Sequence, residues 1–345
     1  MFSYTLRRIL WMVPVLLTVG FVTFSIMRLA PGGPFDRDPN RRGLPASAQR
    51  TLEQRFGLNL PLWRQFTRYM LIDRELDRAS GQQKWVCGAI CGNLGPTYAS
   101  RGTKTVQAIL FKSEKGRPSR FYYSARLGLQ GLALAVLVGI PLGVIAALRQ
   151  NTIVDYVSLF VSTIFTVLPS LVVGLLLLLF AIRVLNNQVW WTAIFGEFKV
   201  FPRDWSNFRP WVLPTLAIGF GSMAFITRLT RASVLEIIGQ DYVRTARAKG
   251  LKGSTVIMRH VLKNSLIPVV TILGPALAGL LVGALFIETI FNVPGMAREL
   301  VKSIGSRDYS MIMGGGLFYA FLIALANLSV DLVYGFLDPR ISVGK

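Results

Sequence analysis

Side chains that ordinarily do chemistry are scarce in this sequence. Its 345 residues hold one histidine, His260, and two cysteines, Cys87 and Cys91. A metal site needs several converging ligands, and a thiol–imidazole pair needs both groups together, so the residues argue for no metal and no catalytic residue. No G-x-x-x-x-G-K-[ST] loop is present to cradle ATP phosphates, so the chain is not its own motor. Ionisable groups in or beside apolar stretches are Asp155, Arg183, Glu288 and Asp331. Charge in such places is costly and normally faces a protein interior or a watery path. These groups therefore read either as ion pairs and helix caps or as path lining. The polar residues Thr163, Thr166, Ser170, Glu288 and Asn327, with Ser329 beside the last, are the candidates to line a route for a polar solute. Against this stands the habit of Ser and Thr hydroxyls of bonding their own helix. Cys87 and Cys91 are flanked by Gly88 and Gly92, so a turn could bring them together as a disulfide, which would mark an oxidising side.

The most distinctive polar stretch is DYVRTARAKGLKGSTVIMRHVLKNSLIP, Asp241 to Pro268. Its charges are Asp241 against Arg244, Arg247, Lys249, Lys252, Arg259 and Lys263. Asp241 is a good N-cap, Tyr242 to Lys249 has helical residue types, and Gly250 suits a left-handed stop. Ser254 is placed to cap a second helix ending near Ser265, and Pro268 can open the next one. His260 reads as a surface side chain near lipid headgroups.

These residues need a frame, and composition specifies it. The hydrophobic fraction is 52%, charged residues make up 16%, and mean hydropathy is +0.49, too apolar for a soluble domain of this size. The formal charge of +21 would suit nucleic acid in a soluble protein, but here the basic residues punctuate apolar runs and suit lipid and the positive-inside rule. We expect an all-α polytopic membrane protein of six transmembrane helices. The expected spans are Ile9–Met27, Ala125–Leu148, Val154–Ile182, Trp211–Leu229, Ile267–Ile290 and Met311–Leu337, with both termini inside and the first span retained. Pro141, Pro169, Pro214 and Pro275 fall in or at the edges of spans, where they read as packing kinks.

Three parts follow: a first helix in 1–29, an enlarged extracytoplasmic region in 30–124, and a core in 125–345 carrying an inside loop over 230–266. The second part is expected to contain helices at Ser47 to Phe56, capped by Ser47 and stopped by Gly57, and at Pro61 to Ile72. Between Arg28 and Arg126 the sequence has 18 Lys+Arg and 7 Asp+Glu.

The inside loop, DYVRTARAKG followed by RHVLKNSLIPVV, resembles the cytoplasmic loop of binding-protein-dependent ABC importer permeases. It is most similar to the first, B-type, permease of dipeptide and oligopeptide importers. LRRIL, RLAPGGPFD, FGLNLPLWRQFTRYM, NLGPTY, GIPLGVIAAL, ETIFNVPGMARELV, SRDYSMIMG and LDPR extend the resemblance in order over most of the chain. It implies a type I importer fold in a bacterial cytoplasmic (inner) membrane. It also implies a coupling helix made by Asp241, Tyr242, Arg244, Thr245, Ala246, Arg247, Ala248, Lys249 and Gly250, with small Ala246 and Ala248 allowing close approach to an ATPase. The broader family has E-A-A where Arg244, Thr245 and Ala246 stand, so any role of that acid does not carry over. The implied partners are a second permease, two ATPases holding ATP and Mg, an extracytoplasmic solute-binding protein and membrane lipid, with no cofactor in this chain and no nucleic acid. Asp73 to Ile90 and Lys112 to Tyr123 depart from the family pattern and are expected to enlarge the outer face and contact the binding protein. Nickel, glutathione or oligosaccharide are other solutes for the same class. A secondary transporter or channel without an ATPase is the rival class; it predicts inverted repeats and a midplane acid cluster, and neither is evident.

Overall fold

The computed structural model describes residues 2–30, 32–35, 45–76, 83–114, 116–189, 192, 202 and 204–337. The chain begins with α1 (Phe2–Leu29), followed by α2 (Ala46–Phe56), α3 (Leu62–Met70), a hairpin of β1 (Ile72–Leu76) and β2 (Gln83–Cys87), and α4 (Val106–Phe111). Then come α5 (Arg120–Leu148), α6 (Ile153–Val167), α7 (Ser170–Arg183), α8 (Val212–Ile238) and α9 (Asp241–Ala248). The order closes with α10 (Gly253–Ser265), α11 (Ile267–Ile290), α12 (Met296–Gly305) and α13 (Tyr309–Leu337). Among the described residues, five helical segments are long and apolar enough to cross a membrane, and six if the pair of α10 and α11, bent by 47°, counts as one span. Large apolar side chains such as Leu10, Trp11, Leu137, Phe160 and Leu176 are exposed, as lipid-facing residues should be.

One expected span is corrected. Val154–Ile182 is two helices, because α6 stops at Val167 and α7 starts at Ser170. Pro169 supplies no N–H to continue α6, and the residue before a proline is pushed out of the helical region; Leu168 is extended at φ −70°, ψ 124°. Pro141 and Pro275, in contrast, lie inside α5 and α11. The fourth span also runs on to Ile238, past the expected Leu229.

The chain divides into two compact units that cut across the expected three parts. One comprises Tyr123–Ala297 with Met1–Thr5 and Leu325–Lys345; the other comprises Leu6–Tyr122 with Arg298–Ala324. In the first unit, small residues recur every fourth position on α5 at Gly131, Ala135, Gly139 and Gly143. They let α5 lie directly on α8. A Cβ on Gly143 would sit 2.5 Å from the Thr227 carbonyl oxygen, and one on Gly139 would sit 2.9 Å from that of Met223. Where lipid offers no hydrophobic drive for association, such close backbone contact is what packs helices.

In the second unit, α1, α3 and α13 share a core of Phe24, Met27, Met70, Tyr309, Met313 and Leu317. Ser47 lies inside α2 and does not cap it; Pro45 is the N-cap, and Gly57 stops the helix at φ +69° as expected. The expected helix over Pro61 to Ile72 is cut short because Ile72 pairs with Cys87 in an antiparallel hairpin. At the hairpin's end, Cys87 and Cys91 are joined as a disulfide with Cα atoms 5.8 Å apart. Gly88 between them donates to the Leu71 carbonyl at 2.6 Å, and a Cβ there would overlap the Tyr69 carbonyl.

The packing yields a paired prediction. Gly143→Ala should lower the thermal unfolding temperature in detergent, since overpacking against backbone costs about 1–3 kcal/mol. Gly253→Ala, where a Cβ meets nothing within 4 Å, should leave that temperature unchanged or slightly raised.

Candidate functional site

The polar loop is built on the end of α8. Gln240 adopts φ −73°, ψ 147° and is the N-cap of α9, so Asp241 is the first helical residue instead of the cap. There its carboxylate still faces the positive end of the helix dipole. Gly250 takes φ +77°, and its N–H reaches the Arg247 carbonyl at 2.9 Å while that of Lys249 reaches Thr245 at 3.0 Å. The left-handed stop is as the sequence suggests. Ser254, however, does not cap α10; Lys252 holds that position, with no side-chain bond. Most of α10, Val256–Leu262, is wound as a π-helix, and the chain turns at Leu266 into α11, whose first turn holds Pro268.

Two faces of α9 are distinct. Val243 and Ala246 are buried, packing with Ala147, Val234, Val256 and Val261. Asp241, Tyr242, Arg244, Thr245, Arg247, Ala248, Lys249 and Gly250 are exposed. This corrects the expectation for Ala246, whose small side chain serves contact with its own chain and leaves Ala248 as the small residue on the outward face. Tyr242 is pinned: its hydroxyl accepts from Asn264 Nδ2 at 2.8 Å and lies 3.4 Å from the His260 carbonyl oxygen, to which it donates. Arg244 and Asp241 approach to 3.8 Å, but both are largely exposed, so this pair contributes little. The result is a short basic helix seated on an apolar bed, with its charges turned outward.

Behind the loop lies a buried charge pair. Asp155, 1% exposed, receives Arg231 Nε at 2.5 Å and Nη2 at 2.7 Å, and it also accepts the Asn151 N–H at 3.0 Å. The fork of the guanidinium matches both carboxylate oxygens. It locks the start of α6 to α8 about two turns before α8 ends at Ile238. The sequence reading had Asp155 but missed Arg231. The available signal was an arginine inside an apolar helix, which requires a partner.

The residues expected to line a route are not brought together. Thr163 and Thr166 are exposed and bond back to the carbonyls of Leu159 and Ser162 at 2.8 and 2.7 Å. Asn327 is exposed, and the side chain of Asp331 lies outside the described residues. Glu288 is fully buried within the first unit. Its Oε1 accepts from Ser124 Oγ at 2.5 Å, and Ser124 in turn accepts the Met296 N–H at 2.8 Å. Gly295 packs so close to that carboxylate that a Cβ would overlap it, so the turn within ETIFNVPGM wraps this buried acid. Ser170 borders a cavity of about 440 Å³ beside the break at Pro169. Phe165, Gly221, Ser222, Phe225 and Gly279 share it. Ser222 and Gly221 went unread because GFGS looks like packing filler in one helix.

In the second unit two of the quoted motifs meet. Asp308 of SRDYSMIMG caps α13 at Met311 N and accepts the N–H groups of Tyr98 and Ala99, both at 3.0 Å, from the NLGPTY loop. Burial and the carboxylate of Asp308 push the Tyr98 phenol up to about 12 against the pull of Arg28, so it stays protonated at neutral pH.

Comparison with known proteins gives a consistent result. Residues 139–343 match the family described as binding-protein-dependent transport system inner membrane component. The chain is 35% identical over its whole length to the dipeptide transport system permease protein DppB of Bacillus subtilis, covering 99% of that protein. It is 31% identical to DppB of Escherichia coli and 33% identical to the oligopeptide transport system permease protein OppB of Escherichia coli, each over 99% of both chains. A solved amino acid ABC transporter aligns with 64% of this chain and 92% of its own at 15% identity and a TM-score of 0.45.

The buried pair is testable. Asp155→Asn should lower stability by about 3–5 kcal/mol, because it strands a buried guanidinium. The double change Asp155→Leu with Arg231→Met should recover most of that loss in denaturant titrations in detergent micelles.

Proposed function

This chain belongs to the family of binding-protein-dependent transport system inner membrane components, and from that membership we propose that it is the permease subunit of an ATP-driven importer of dipeptides or oligopeptides. Its full-length similarity to dipeptide and oligopeptide permeases supports the solute class over nickel, glutathione or oligosaccharide. The chain itself performs no hydrolysis; ATP and Mg are held by two separate ATPase subunits. A second, similar permease completes the route, and a solute-binding protein delivers the peptide from outside.

The observation that carries the mechanism is the two-faced helix α9. Its inner residues Val243 and Ala246 are locked into the chain's own core while Arg244, Arg247, Ala248 and Lys249 stand outward. A helix fixed on one side and exposed on the other transmits force without absorbing it. ATP-driven closure of the ATPases draws this helix toward its counterpart on the other permease. The continuous α8 and the α10 to α11 bend then carry the displacement into the membrane as rigid-body movement. The Asp155–Arg231 lock adds α6 to the moving body. In this reading the loop faces the cytoplasm, and both termini with it.

The region between α1 and α5 then lies outside. The Cys87–Cys91 disulfide supports that side, because disulfides persist where the environment oxidises. Its basic surface is the face offered to the binding protein, and membrane lipid surrounds the apolar helices.

The coupling role is tested in the reconstituted complex. Reversing Arg244 and Arg247 together to Glu should abolish substrate-stimulated ATP hydrolysis while membrane insertion persists, since both side chains leave the apolar bed untouched. Gly250→Pro should act the same way, because proline cannot reach φ +77°. Undiminished stimulation in both variants would refute the assignment.

A further inference from the structure

The second unit holds a cavity that the transport reading does not use. Its volume is about 190 Å³. Three arginines line it, Arg28, Arg55 and Arg68, with Asp73 as the one carboxylate among the described residues of the lining. Aromatic rings of Phe56 and Tyr98, stacked at 4.2 Å between centroids, form part of the wall.

Arg28 is built into place. One terminal nitrogen donates to Gln65 Oε1, and Gln65 is itself oriented by donating to the Leu58 and Leu60 carbonyls at 3.0 and 2.6 Å. The guanidinium lies over the rings of Phe24 and Tyr309, 5.3 and 5.1 Å from their centroids. Its Nε is buried and has no hydrogen-bond partner among the described residues. A buried cationic donor without an acceptor costs free energy unless something fills the site.

Among the described residues, neighbouring groups do not supply that acceptor. Asp73 leans toward Arg64, at 3.9 Å, and Asp308 directs its oxygens to the backbone N–H groups of Tyr98, Ala99 and Met311. The Tyr98 hydroxyl, its phenol held protonated by burial, offers no negative charge at neutral pH.

We propose that this cavity is an oxyanion-binding site, taking the carboxylate or phosphate of a small molecule between Arg28 and Arg68 with Arg55 at the rim. Guanidinium groups suit such ligands because their planar fork matches two oxygens at once. A solute carboxylate and a phosphate share this chemistry, and the arms of the test separate them. The inference concerns binding to this chain alone, so it stands or falls independently of coupling to ATPases.

The experiment is calorimetric titration of the purified full-length chain in detergent with three probes: the dipeptide Ala-Ala, its C-terminal amide, and inorganic phosphate. Binding of Ala-Ala with the amide at least tenfold weaker assigns a carboxylate site; binding of phosphate with no response to Ala-Ala assigns a phosphate site. Either supports the proposal. Arg28→Gln and Arg68→Gln should each weaken the bound oxyanion about tenfold or more. Arg55→Gln, at the exposed rim, should weaken it by a smaller factor and keeps the test open if the other two variants fail to fold. The proposal is overturned if neither oxyanion binds, if the amide binds as tightly as the acid, or if variants with the wild-type melting temperature bind like the wild type.

Discussion

The bidentate contact between Asp155 and Arg231 is the interaction on which the working half of this chain depends. Two charges placed in an otherwise apolar bundle are tolerable only when each satisfies the other, and here the satisfaction is nearly complete. The same geometry fixes α6 to α8 across 76 residues of sequence. Because α8 runs without interruption to Ile238, the helix that leads into α9 is the one held by this lock. The pair therefore has more bearing on rigidity than on net stability, since a well-packed apolar replacement of a buried ion pair can be equally stable.

Elsewhere too, buried polarity serves to tie segments together. Glu288 gathers Ser124 and the turn at Gly295; Asp308 gathers the Tyr98–Ala99 turn and the start of α13. Both acids sit in motifs that, as strings, resemble functional signatures, and both are consumed by hydrogen bonds inside their own unit. In apolar surroundings a carboxylate that accepts several donors is a structural fastener. The open space lies where the backbone breaks, at Leu168 and Pro169, and its lining is mostly apolar with Ser170 and Ser222 as polar exceptions.

Several elements were legible from local rules alone. The left-handed stops at Gly57 and Gly250, the placing of α9, and the apolar lengths of α1, α5, α11 and α13 follow from residue type and run length. The misreadings differ in cause. Ser47 and Ser254 have capping chemistry, but the caps fell two residues earlier. Ile72 was read as the tail of a helix because nothing local announces that Cys87 lies opposite it. The break at Pro169 was readable in principle, yet a mainly apolar run of 29 residues, Val154–Ile182, outweighed the proline.

By itself the sequence determined that this is a membrane-spanning helical chain with a basic, capped helix outside the apolar runs, because hydropathy, charge and backbone conformational preference act over short range. Tertiary structure alone decided which side of that helix is buried, which arginine meets Asp155, and that Glu288 is enclosed. The physical reason is that these depend on how close two helices approach. That distance is set by small residues such as Gly139 and Gly143 meeting the backbone of α8. A spacing of four marks such a face, but which helix it meets emerges only when the whole unit packs.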